Sequence, residues 1–143
     1  MSVNHALTDT DHKIEATPVP MLRRLQILPQ YFGRHMLVAE TIVYRSLESM
    51  CQEYSGGYWD FYELSNGSFY MAPSTDHRMR LQCEGNGFDG EMSADAAGIV
   101  ACLLAFNELV WRTRDERFER LYYGLREFAS DHPEACTISS AID

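Results

Sequence analysis

The stretch GGYWDFYELSNGSFYMAPS, residues 56–74, decides the fold class. Two aromatic-rich runs flank Asn66-Gly67, and that dipeptide is the strongest short-range hairpin signal because both residues tolerate the positive φ of a tight turn. A two-residue loop predicts Ser65 opposite Ser68, Leu64 opposite Phe69 and Tyr62 opposite Met71. Tyr62, Leu64, Phe69 and Met71 then share one face, and Trp59, Phe61, Tyr70 and Ala72 the other. Both faces are apolar, so the hairpin is either covered on both sides or exposes an aromatic patch able to anchor a partner.

Downstream of the hairpin, residues 78–83 alternate with period two. Met79, Leu81 and Cys83 point inward and Arg78, Arg80 and Gln82 to water, which predicts a third strand continuing a meander. Residues 88–92 add a short fourth strand. Ser93 then caps a helix over 94–111 that is apolar nearly all round and is expected to be the most buried. Its Ala96, Ala97, Gly98 and Ala101 permit close backbone approach. Thr113 and Glu116 read as a capping box for a long helix whose inner stripe is Phe118, Leu121, Tyr122, Leu125, Phe128 and Ala129. Asp131-His132-Pro133 stops it, and residues 133–142 form a short closing helix.

Upstream, Phe32, Met36, Ala39, Val43, Leu47, Met50 and Tyr54 step by three or four residues and mark one helix over 29–54. Pro29 suits its first turn and Gly56-Gly57 its end. Residues 1–19 are polar and read as a flexible N-terminal tail, leaving 20–143 as the folded domain. The expected fold is therefore α+β: a single compact domain with a small antiparallel sheet of three or four short strands and three or four helices.

Composition bounds the function. The chain has 143 residues, is 45% hydrophobic and carries a net charge of −9, which suits one globular domain and lacks the basic footprint of a nucleic-acid binder. No stable nucleic-acid binding is expected. Its basic residues are eleven Arg and Lys13 alone; arginine favours fixed planar pairs or a partner surface. Cys51, Cys83, Cys102 and Cys136 are widely spaced, without the paired spacing of a zinc site. Cys51 and Cys102 fall on apolar helical stretches as small hydrophobes. No disulfide framework, signal peptide or membrane-length apolar run is visible, so the cytoplasm is the expected location.

Few motifs carry chemistry. There is no GxSxG elbow, phosphate loop or HExxH pair, and His35 and Glu40 are five residues apart, the wrong spacing for one helix face. Glu84, Asp89, Glu91 and Asp95 form an acidic patch. A small metal-dependent hydrolase using Asp89, Glu91 and Asp95 is one alternative; a glycine-rich turn, a strand and a helix cap are the structural one. Arg114, Arg117 and Arg120 interleave with Asp115, Glu116 and Glu119, as on a solvated, salt-bridged helix face. A DNA-binding regulator is the other alternative.

FGRHMLVAETIVY (32–44), GGYWDFYELSNGSFYMAP (56–73) and GNGFDGEMSADAAGIVA (85–101) resemble the antirestriction proteins of the KlcA/ArdB family. The resemblance runs from about Met21 to Asp143. It implies a compact α+β protein of plasmids and other mobile elements that protects incoming DNA from host type I restriction enzymes. It also implies no enzymatic activity, metal or cofactor. The partner would be the host type I restriction enzyme or an associated host protein, with no membrane involved and a monomer expected. Duplex DNA carries about one negative charge per 1.7 Å of axis, so imitating ten base pairs needs roughly twenty. A net charge of −9 with interspersed arginines disfavours extended mimicry and favours a specific protein surface. Candidates for that surface are Arg24, Glu40, Trp59 and Asp143, whose terminal carboxylate adds to its own. Their structural readings are an ion pair for the first two, a core aromatic and a frayed end.

Overall fold

The structure, a computed structural model, describes residues 13–143. In chain order its elements are β1 (Ala16–Pro18), α1 (Arg24–Phe32), α2 (Met36–Met50), β2 (Trp59–Leu64), β3 (Phe69–Pro73), β4 (Met79–Cys83), β5 (Phe88–Met92), α3 (Ala94–Thr113), α4 (Glu116–Ser130) and α5 (Ala135–Ile142). The α+β class holds, with two antiparallel sheets: β1-β2-β3 and, separately, β4-β5. The expected meander is broken because β4 pairs only forward, with β5.

Part of the segment expected as a tail is ordered. Ala16, Thr17 and Pro18 pair with Leu64, Glu63 and Tyr62, and an edge position tolerates a proline that cannot donate to the ladder. The remaining tail residues, 1–12, lie outside the described region.

The hairpin stands where Asn66-Gly67 puts it, but its register differs by one. Tyr62 faces Tyr70, Phe61 faces Met71 and Glu63 faces Phe69. Leu64 N–H donates to the Ser68 carbonyl at 2.9 Å and Gly67 N–H to that of Leu64 at 3.0 Å, making a three-residue loop with Gly67 at φ 91°. That arrangement is the usual alternative when glycine supplies the left-handed position. The slip turns β3 over relative to β2. Both faces of the hairpin are covered: Phe69 stacks on Tyr31 of α1 and Tyr70 on Phe128 of α4. All five residues of β3 are buried.

The long first helix is broken in two. α1 begins at Arg24, so Pro29 lies within it rather than in its first turn, and Gly33 at φ 58° ends it. A Cβ on Gly33 would meet the Arg117 guanidinium carbon at 2.7 Å, so α4 packs directly on this break. Just before it, Phe32 lies edge-on to Phe69 (5.6 Å) and Phe106 (6.0 Å) and 6.0 Å from Phe118. This cluster joins α1, β3, α3 and α4, and such aromatic pairs add to the burial of their area. α2 ends at Met50, capped by Cys51 rather than by Gly56-Gly57.

α3 is the central helix, as its composition predicts, with Ser93 Oγ accepting from Ala96 N–H at 3.1 Å. Of the described helices only α3 is long and apolar enough to cross a membrane, and 67% of that window is buried inside the fold. It ends at Arg114, which holds φ 60°. Asp115, not Thr113, then caps α4 by accepting from Arg117 N–H; the Thr113 hydroxyl instead bonds the Leu109 carbonyl. α5 closes the domain with Ile138 and Ala141 buried, and Asn86 of the β4–β5 turn donates to the Ala141 carbonyl at 3.0 Å.

Candidate functional site

Three of the four surface candidates meet in one network. The Arg24 guanidinium donates to the Trp59 carbonyl at 2.8 Å and to Asp60 at 3.1 Å, and lies 5.1 Å above the Phe61 ring. Trp59 is 4% exposed. Its ring meets Tyr44 edge-on at 5.0 Å and its N–H donates to Tyr54 Oη. The Tyr44 hydroxyl donates to Glu40 at 2.9 Å; burial first, and then this carboxylate, raise the Tyr44 phenol well above its ordinary value. Arg24 and Glu40 therefore do not pair with each other; each serves a different side of Trp59. As a direct partner contact Trp59 is corrected: it is a core aromatic, and Phe61 is buried with it. Asp143 is exposed at the end of α5. The Asn86 bond brings the turn that carries Glu84 against the same end of the molecule.

The acidic patch is not a cluster. Asp89 takes a bidentate pair from Arg80 at 2.8 and 2.7 Å, and those hydrogen bonds hold its carboxyl below the usual range. Glu91 lies 4.0 Å from Arg78, and Glu84 is exposed in the turn. Asp95 faces elsewhere, accepting from Tyr70 Oη at 2.7 Å and from His132 Nε2 at 2.8 Å. Among the described residues no three ligating side chains converge on one point. The donor set proposed for a metal-dependent hydrolase is thus pulled apart by its own ion pairs.

The Asp95 network brings catalytic residue types together. Glu134 N–H donates to His132 Nδ1 at 2.9 Å, which makes Nε2 the protonated nitrogen that donates to Asp95. Burial opposes ionisation of Asp95, but the bonds from His132 and Tyr70 outweigh it and keep the carboxyl depressed. The serine hydroxyl bonded within this network, that of Ser93, donates to Glu134 rather than to histidine. Both His132 ring nitrogens are occupied, so the group ties the start of α3 to the α4–α5 connection instead of activating a nucleophile.

Two adjoining hollows lie nearby, the second of them bordering this network through Asp95. One of about 520 Å³ lies between the 51–58 loop and the start of β4. The other, about 330 Å³, lies over Asp60, Tyr62 and Asp95. They share Pro73, Ser74 and Thr75. Gly56 and Gly57 form one wall at φ 98° and 119°.

Trp111 and Tyr123 were not visible as surface residues in the sequence. Trp111 ends an apolar run and reads as core, yet it is 66% exposed, and Tyr123 is 61% exposed. The signal lay in its neighbours: Arg112 and Arg114 follow Trp111 within one turn, and a helix end crowded with charge seldom faces a core. The expected salt-bridged face surrounds them, with Arg120 4.0 Å from Glu116 and Arg117 3.1 Å from Asp115.

The sequence profile of a family described as antirestriction protein matches residues 52–143. Two Escherichia coli proteins named antirestriction protein KlcA are 45% and 49% identical to the chain. The alignments cover 93% and 91% of this chain and 97% and 94% of those proteins. Escherichia coli K12 YafX, an uncharacterised protein, is 42% identical over 93% of the chain and 90% of its own length. A solved structure, from work reporting that KlcA and ArdB show a novel fold and antirestriction activity against type I DNA restriction systems in vivo but not in vitro, superposes with a TM-score of 0.85. It is 45% identical and matched over 91% of this chain and 95% of that one.

Proposed function

Because the chain belongs to the antirestriction protein family, we propose that it protects incoming mobile-element DNA by inhibiting host type I restriction–modification, without catalysis and through a protein surface. The carrying observation is likeness over nearly the whole chain to a protein active against type I systems in cells. The charge argument supports docking over mimicry: three of the four acids that would imitate phosphates, Asp89, Glu91 and Asp95, are individually paired with Arg80, Arg78 and His132. The lack of in vitro activity in that relative favours a target complete only in the cell, either the restriction enzyme in its cellular state or an associated host protein.

The test is plating of unmodified phage on cells carrying a type I system, with and without this gene. Restored plating is expected, with no effect on a type II system. Unchanged restriction at normal protein abundance overturns the function. Purified protein that displaces DNA from a purified type I enzyme overturns the cell-dependent docking and restores mimicry.

A further inference from the structure

The end of α3 and the first turns of α4 carry an aromatic and charged face that neither sheet uses. Trp111 and Tyr123 project from it. Between them lie two shallow hollows of about 320 and 440 Å³ that share Glu116 and Glu119 as a common wall. Trp111 and Arg114 complete the first hollow; Arg120 and Tyr123 complete the second. Each hollow thus offers an aromatic ring beside carboxylates, the pairing that holds a guanidinium or ammonium group.

The charges here are not balanced internally. Arg114 stacks on the Trp111 ring at 5.8 Å and Arg120 lies 4.0 Å from Glu116, so both cations already have a partner. Glu119 has no cation within 4.0 Å among the described residues, and it borders both hollows. The two hollows are lined by three carboxylates, Asp115, Glu116 and Glu119, against the two guanidinium groups of Arg114 and Arg120, and the chain as a whole carries −9; that excess of acid draws a basic partner. Trp, Tyr and Arg are also the residue types that dominate the energetics of protein interfaces.

We propose that the Trp111–Glu119–Tyr123 face is the docking surface for a basic segment of a protein partner, with two neighbouring arginine or lysine side chains entering the two hollows. The inference rests on the reading that the chain acts by contact with a protein.

A fluorescein-labelled decapeptide of alternating arginine and glycine, titrated at low ionic strength with the purified full chain, is the probe. Trp111→Ala, Tyr123→Ala and Glu119→Gln should each weaken binding about threefold to fivefold. Glu127→Gln removes the same charge from an exposed position further along α4 and should leave affinity unchanged. Circular dichroism confirms that each variant is folded. Equal affinity across all variants overturns the proposal, as does an equal loss in Glu127→Gln, which would mean a general attraction to an acidic protein. The triple variant is also tested in the plating assay. Full protection by it, where the unaltered protein protects, overturns the surface alone. An unaltered protein that does not protect overturns the functional reading, while the titration still judges the surface.

Discussion

Gly98 of α3 lies directly on Ala72 of β3, so closely that a Cβ at residue 98 would collide with the Ala72 Cα and stand 2.5 Å from the Met71 carbonyl oxygen. The atoms in the way are mainly backbone, and both elements are fully buried there. Gly98→Ala, which elsewhere in a helix is favourable, should here cost about 1–3 kcal/mol through overpacking. Urea denaturation measures it; an unchanged midpoint would show that helix and sheet slide apart freely.

Arg24 acts in the fold before it can act on a partner. Arg24→Ala removes two hydrogen bonds and leaves the Trp59 carbonyl unpaired, at an expected cost of about 1–3 kcal/mol. Loss of protection in cells should then track lower protein abundance. Full stability combined with lost protection would instead return Arg24 to the contact surface.

Stability should fall on the acid side. Asp95 and Glu134 both hold pKa values below their ordinary 3.8 and 4.5; in each case burial opposes ionisation and hydrogen bonds from His132, Tyr70 and Ser93 outweigh it. A depressed folded-state pKa contributes stability that is present above the unfolded value and lost as pH falls through the folded one. Unfolding free energy should therefore decline below pH 4.5, continuing past the ordinary value of each group. Asp95→Asn and Glu134→Gln should flatten that decline. An acid limb of undiminished slope in the double variant would place its source elsewhere.

Arg114→Gly should stabilise the protein. Arg114 is the one non-glycine residue at positive φ among those described, a conformation costing about 1 kcal/mol that glycine avoids. The exposed stack on Trp111 offsets about half of that, so a net gain of about 0.5 kcal/mol is expected by thermal or chemical denaturation. A loss would mean that the stack outweighs the backbone relief.

Much of the architecture was legible because its signals are local. The alternation of residues 78–83, the Ser93 cap and the stripe of α4 each depend on neighbours in sequence, and each element forms where its period says. The misses have physical causes. Asn66-Gly67 supports two loops, and choosing between them turns one strand over. Gly33 ends α1 under an arginine from residue 117, a contact no window of sequence contains. The Thr113–Glu116 pattern is satisfied on paper, but Arg114 takes the left-handed position and leaves Asp115 as the first residue able to cap.

The candidate site was less legible because exposure is a tertiary property. Arg24, Glu40 and Trp59 are indeed brought together, yet around a buried ring rather than on a surface. Trp111, hidden at the end of an apolar run, is the tryptophan that faces outward.

Two strands alone seldom persist in water, and the β4–β5 ribbon is separate from the larger sheet. Asn86 ties its turn to carbonyls of Ser140 and Ala141, more than fifty residues further on. Ser140 and Ala141 thus work as a latch for an element made much earlier in synthesis. Unwinding α5 at Ser140 and Ala141 would therefore be felt first in that ribbon.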